Sequence, residues 1–138
     1  MTEQDIQKVL FTAFETLNDF SGIKLIEDNV AYPNKPFDIP ENKRWYIINC
    51  LANSPEYVFI GCNRNSRWNG FLQIDICTPL DKGEEEATNK YEWLRKLFEN
   101  GKYFEFVEIN KCYIATKTNN SDHYRMTVRI EWTADITD

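Results

Sequence analysis

A single histidine, four cysteines and 22 acidic residues are the raw material for chemistry in this chain. Their spacing organises very little of it. One histidine excludes a His-Glu-x-x-His zinc helix, and His123 stands alone at the start of a strand-like stretch, where a surface or strand-edge role is the plainer expectation. Cys50, Cys62, Cys77 and Cys112 lie 12, 15 and 35 residues apart with no Cys-x-x-Cys, which does not suit a zinc site. All four sit in apolar or strand-like surroundings, so reduced, buried, structural thiols are expected. Glycine-rich phosphate loops and Gly-x-Ser-x-Gly elbows are absent from the sequence. Asp75, on an alternating strand just before a helical stretch, is the best-placed single carboxylate for acid–base work. Its simpler reading is an acid on a solvated or partly covered sheet face. Neither a catalytic residue, a cofactor site nor a metal site is expected.

Two stretches point to contacts instead. In CNRNSRWNG (62–70), Arg64, Arg67 and Trp68 belong to residue types enriched at binding hot spots. They could grip a partner. Equally, Trp68 could fold back over a sheet and leave the arginines solvated. YPNKPFDIP (32–40) holds three of the five prolines and a Pro-x-x-Pro. Polyproline ligands lie in flexible polar tracts, whereas strong apolar patterns flank this one. A stiff extended segment crossing the domain surface is the expectation, with Tyr32, Phe37 and Ile39 anchoring it and the prolines blocking edge pairing.

The elements that must carry these residues are readable. Ile6, Val9, Leu10, Ala13, Phe14 and Leu17 recur at helical spacing, predicting an amphipathic helix over 2–18 with Thr2 as cap. A short strand is possible in 23–31. Strands are expected at 44–51 and 57–61, then a loop or hairpin tip over 62–70. A strand at 70–78 follows, with Leu72, Ile74 and Ile76 on one face. Ala87, Tyr91, Leu94 and Phe98 make the stripe of a second helix over 84–99, whose first turn is acidic and whose stop is Asn100-Gly101. The strand at 106–117 changes phase near Asn110-Lys111, which suggests a bulge or turn. The last strand alternates most cleanly, with Tyr124, Met126, Val128, Ile130 and Trp132 on one face.

This order predicts an α+β fold: a mostly antiparallel β-sheet flanked by two main α-helices, in one domain over 1–138. A length of 138 residues suits a single domain with a substantial core. A net charge of −6 disfavours general nucleic-acid binding. The N-terminal stretch has no basic region followed by an unbroken apolar run, and no apolar run approaches the ~20 residues of a membrane span. The expectation is a protein kept or assembled inside a cell, with no membrane partner.

Taken together, the leading helix, YPNKPFDIP, the strand RWYIINCL, the block GFLQIDICTPLDKGEEEATNKYEWLRKLF and the closing YRMTVRIEW resemble the tail terminator, or tail completion, proteins of tailed bacteriophages. The resemblance spans most of the chain, from about residue 3 to residue 133. It implies a structural virion protein of the tail and neck, assembled in the bacterial cytoplasm. That protein caps the finished tail tube as a homo-hexameric ring, stops tube polymerisation and offers a surface to the head–tail connector. It implies no enzyme activity and no cofactor. Its partners would be other copies of itself, the tail tube protein and the connector protein, with DNA passing through the lumen without specific binding. Subunits are sometimes monomeric before they meet the tube. Six copies at −6 each would put about −36 on the ring, which would keep a duplex sliding rather than sticking within a Debye length of roughly 8–10 Å.

A cyclic ring needs two different complementary patches per chain. The candidates for subunit or tube contact are Tyr32, Phe37, Arg64, Arg67, Trp68 and the charged helix face of Glu85, Glu92, Lys96 and Glu99. The alternatives are another neck protein, such as a stopper, or a small α+β enzyme or ligand-binding module with a polar-lined pocket.

Overall fold

The computed structural model describes residues 3–15, 30–33, 44–53, 56–60, 63–80, 83–119 and 122–137. Helix α1 covers Glu3–Glu15 and α2 covers Glu85–Leu97. The strands are β1 (Val30–Ala31), β2 (Trp45–Ala52), β3 (Glu56–Ile60), β4 (Asn63–Thr78), β5 (Tyr103–Phe104), β6 (Val107–Asn119) and β7 (Tyr124–Thr137). They form one seven-stranded sheet in the order β1-β2-β4-β7-β6-β5, with β3 added alongside β4. Every pairing is antiparallel except β1 with β2. The α+β expectation holds.

Alternation sets the core. Leu72, Ile74 and Ile76 of β4 share a face with Ile48 of β2 and with Met126, Val128, Ile130 and Trp132 of β7. All of these are buried, and they form one cluster with Ile6, Leu10 and Phe14 of α1 and Ala87, Leu94 and Phe98 of α2. Both helices therefore spend their apolar stripes on the same apolar cluster. The second helix stops earlier than expected, at Leu97 with Phe98 as its C-cap, and Asn100-Gly101 makes the turn that follows: Gly101 takes a positive φ of 85°, and its N–H donates to the Ile109 carbonyl at 2.8 Å. That turn feeds the chain straight into β5 and β6.

The stretch 62–70 departs from the expectation of a loop. From Asn63 onward it is strand, part of a β4 that runs unbroken for 16 residues. Asn, Ser and Arg are poor strand formers by propensity, but context decides. Here β3 pairs with one side of 63–67 and the end of β7 with the other side of 65–67, so from Asn65 onward the strand is paired on both sides. β2 and β3 follow one another along the same edge of β4, and the handover falls at Asn53. Its N–H donates to the Asn69 carbonyl at 2.8 Å, and its side-chain amide donates to the Asn69 amide oxygen at 2.7 Å. Gly70 permits the close approach there, since a Cβ on it would sit 2.0 Å from the Leu51 carbonyl oxygen.

The phase change at Asn110-Lys111 is a register shift between Ile109 and Lys111, and a second one lies between Ile114 and Thr116. The two-residue strand β5 was not anticipated; it pairs with the first residues of β6. The expected cap Thr2, the end of the first helix at 16–18, Phe37 and Ile39 all lie outside the described residues.

Candidate subunit interface

Past the polar row at Asn69, the sheet narrows to three strands. β3, the first part of β4 and the end of β7 continue as an arm, and Tyr57, Ser66 and Ile136 occupy one rung of it. Arg64 lies on this arm opposite Phe59. Arg67 stands directly opposite Asp135, and its Nε donates to the carboxylate at 2.9 Å. The pair is exposed on both sides. Trp68, next along the strand, is half-buried and packed against the core cluster. Neither of the two sequence readings holds whole: the tryptophan turns inward while Arg67 is fixed by an acid. At the base of the arm the Asn110 amide donates to the Thr133 hydroxyl at 2.6 Å, tying the β6 bulge to β7.

That bulge forms one wall of a groove of about 390 Å³ beside the end of α2. Glu92, Lys96 and Glu99 line the helix side, and Asn110, Lys111 and Cys112 the strand side. The structure thus brings three of the four helix candidates into one cleft. Glu85 sits at the opposite end of α2, exposed and apart from them. Within the groove Glu92 meets Arg95 at 3.6 Å, so one acid is matched on its own helix. Burial pushes the Cys112 thiol up to about 12, which makes it a packing residue and not a nucleophile. The polar lining can receive a mixed-charge protrusion, but no proton-transfer pair is built there.

The start of α2 is fixed by its acids. Glu84 forms no side-chain cap; its carboxylate accepts from the Tyr124 hydroxyl at 2.7 Å and lies 3.4 Å from the Lys117 ammonium. Those two partners, the tyrosine first, hold the Glu84 carboxyl below its usual range. Glu86 pairs with Arg44 at 3.1 Å. The N-terminal acids thus pin the helix to the sheet.

The sheet's second face corrects two expectations. Asp75 is not solvated but 5% exposed. Its register neighbours are Ile47 and Thr127, and its Oδ2 lies 3.9 Å from Arg125 while its Oδ1 is buried without a hydrogen bond. His123 does stand at the start of the last strand, yet its ring is largely covered, 5.4 Å from the Trp45 ring. Its Nδ1 lies 2.6 Å from Asp122. Among the described residues no group of three or more His, Cys, Asp or Glu could hold a metal ion. Nor is any described helix long and apolar enough to cross a membrane.

Tyr32 is half-buried, with its ring 5.7 Å from that of Phe11 on α1, and residues 34–40 of the proline stretch lie outside the described residues. Sequence reasoning missed Asp135 and Lys111. Both had a signal: Asp135 extends the β7 alternation, and Lys111 sits on the phase change.

Comparison with known proteins supplies the family. No match is found among curated proteins. A solved structure of a protein without a functional name superposes with a TM-score of 0.67 at 18% identity, over 93% of this chain and 94% of that one. That likeness concerns the fold. The family described as phage tail terminator protein matches residues 6–132, nearly the whole chain. The chain belongs to the phage tail terminator protein family and is a tail structural protein.

Proposed function

We propose that this protein closes the end of a phage tail tube as a ring, ending tube polymerisation and presenting the surface to which the head connector joins. The match of residues 6–132 to the terminator family carries the reading. Three features support it. A ring interface is heterologous, so each subunit needs two unlike patches. The arm, with its exposed Arg67–Asp135 pair, and the groove beside α2 are unlike patches. Asp75, the best-placed carboxylate by sequence, is buried 3.9 Å from Arg125, which suits a charge held within the fold. The net charge of −6 per copy suits a lumen that DNA crosses without adhering.

The test is genetic and visual. A phage lacking this gene should make tails of uncontrolled length that fail to join heads. Supplying the protein should restore a single tail length. Tails of normal length in its absence would reject the reading.

A further inference from the structure

Three of the sheet's outer edge stretches without a partner strand among the described residues differ in character. Natural sheets protect edges from unwanted pairing with bulges and lysines. The β6 edge, beyond the two residues covered by β5, carries both devices: register shifts at Asn110 and Ala115, and Lys111 and Lys117. The edge of β3 carries neither. Its sequence, Glu-Tyr-Val-Phe-Ile, is rich in strand-forming residues with no Lys, Pro or Gly, and its register with β4 is continuous. The third edge is the end of β7. The pairing with β6 begins at Val107 with Ala134, so Asp135, Ile136 and Thr137 run past it, paired with β4 alone.

We propose that the arm joins neighbouring copies by edge pairing, with β3 of one subunit hydrogen-bonded to the end of β7 of the next. This rests on the ring reading above and names the contact within it. Three observations select a second copy of this chain as the occupant. The two bare edges lie on opposite sides of the same arm. They are level, since Tyr57, Ser66 and Ile136 share a rung, and so do Val58, Asn65 and Thr137. They also run in the same direction, because both β3 and β7 are antiparallel to β4. A sideways step from one subunit to the next therefore brings β7 against β3 as a parallel pair at the same height. Such a contact is head-to-tail, the kind a ring requires. Pairing of β3 with β3 would instead be two-fold and stop at a dimer.

A disulfide distinguishes these cases. Within one chain Tyr57 and Ile136 are two strand spacings apart, about 9.5 Å, beyond the roughly 7 Å that a disulfide spans. Any bond between cysteines at these positions must join two chains. The double variant Tyr57→Cys/Ile136→Cys, assembled with tail tube protein and then oxidised, should give a ladder of linked species on a non-reducing gel. Each single variant should give none. Val58→Cys/Thr137→Cys on the next rung should behave alike and serves if the first pair folds poorly. A ring seen by light scattering with no ladder from either pair overturns the edge contact and leaves the ring. Dimers from Tyr57→Cys alone overturn it in favour of two-fold pairing. A strict monomer even with tube present overturns the ring reading, and this contact with it.

Discussion

Arg67 and Asp135 face each other across β4 and β7 with 2.9 Å between Nε and the carboxylate, on the arm that extends past the core. Both side chains are about half exposed, so the pair itself adds little to folding, on the order of 0–1 kcal/mol. Its effect should appear in assembly. Arg67→Ala should leave the urea midpoint almost unchanged while weakening ring formation about tenfold, which corresponds to about 1.4 kcal/mol. A large loss of folding stability with normal assembly would assign the pair to the fold alone.

Gly70 should be intolerant of any side chain. A Cβ there meets the Leu51 carbonyl at 2.0 Å, where β2 hands over to β3. Relief requires a backbone shift, and overpacking of this kind costs about 1–3 kcal/mol. Gly70→Ala should lower the unfolding free energy by that amount, read from denaturant melts. A neutral result would mean the strands do not approach as described.

The thiols give a pH-dependent prediction. Burial pushes Cys77 and Cys112 up from 9.0 to about 12. The fold thus favours the protonated form. The associated stability is fully present below the unfolded pKa of 9.0 and is lost as pH rises from there through about 12. At pH 8 both thiols should resist iodoacetamide in the native protein and react after unfolding. Rapid native labelling of buried Cys77 or half-buried Cys112, read by peptide mass, would contradict the raised thiol pKa values.

Lys96 tests the groove. It is exposed, so Lys96→Glu should change stability by less than about 0.5 kcal/mol. Beside Glu92 and Glu99 the reversal makes the helix side of the cleft wholly acidic apart from Arg95. Ring assembly should weaken, and more so at low salt. Unchanged assembly at every salt concentration would remove the groove from the interface.

Much of this fold was legible because one face of each element is apolar. The Leu72–Ile74–Ile76 and Met126–Val128–Ile130 alternations define β4 and β7, and both helix stripes land in the core. The first part of β4 was not legible: Asn63, Arg64, Asn65 and Ser66 lack strand propensity, and β3, joined by β7 from Asn65 onward, holds them extended. The burial of Asp75 was hidden for a similar reason, since its cover comes from neighbours distant in sequence. Tyr32 sits where an anchor was expected, against Phe11. Arg67 was identified as a contact residue, but its partner Asp135 lies 68 residues away and only the sheet register joins them.

The central claim is that this chain caps a tail tube as a ring. Electron microscopy of tubes grown with the purified protein addresses it directly. The account predicts a single ring of the protein at one end of each tube and no further elongation from that end. Tubes that keep growing with the protein absent from their ends, or bound along their length, would contradict it.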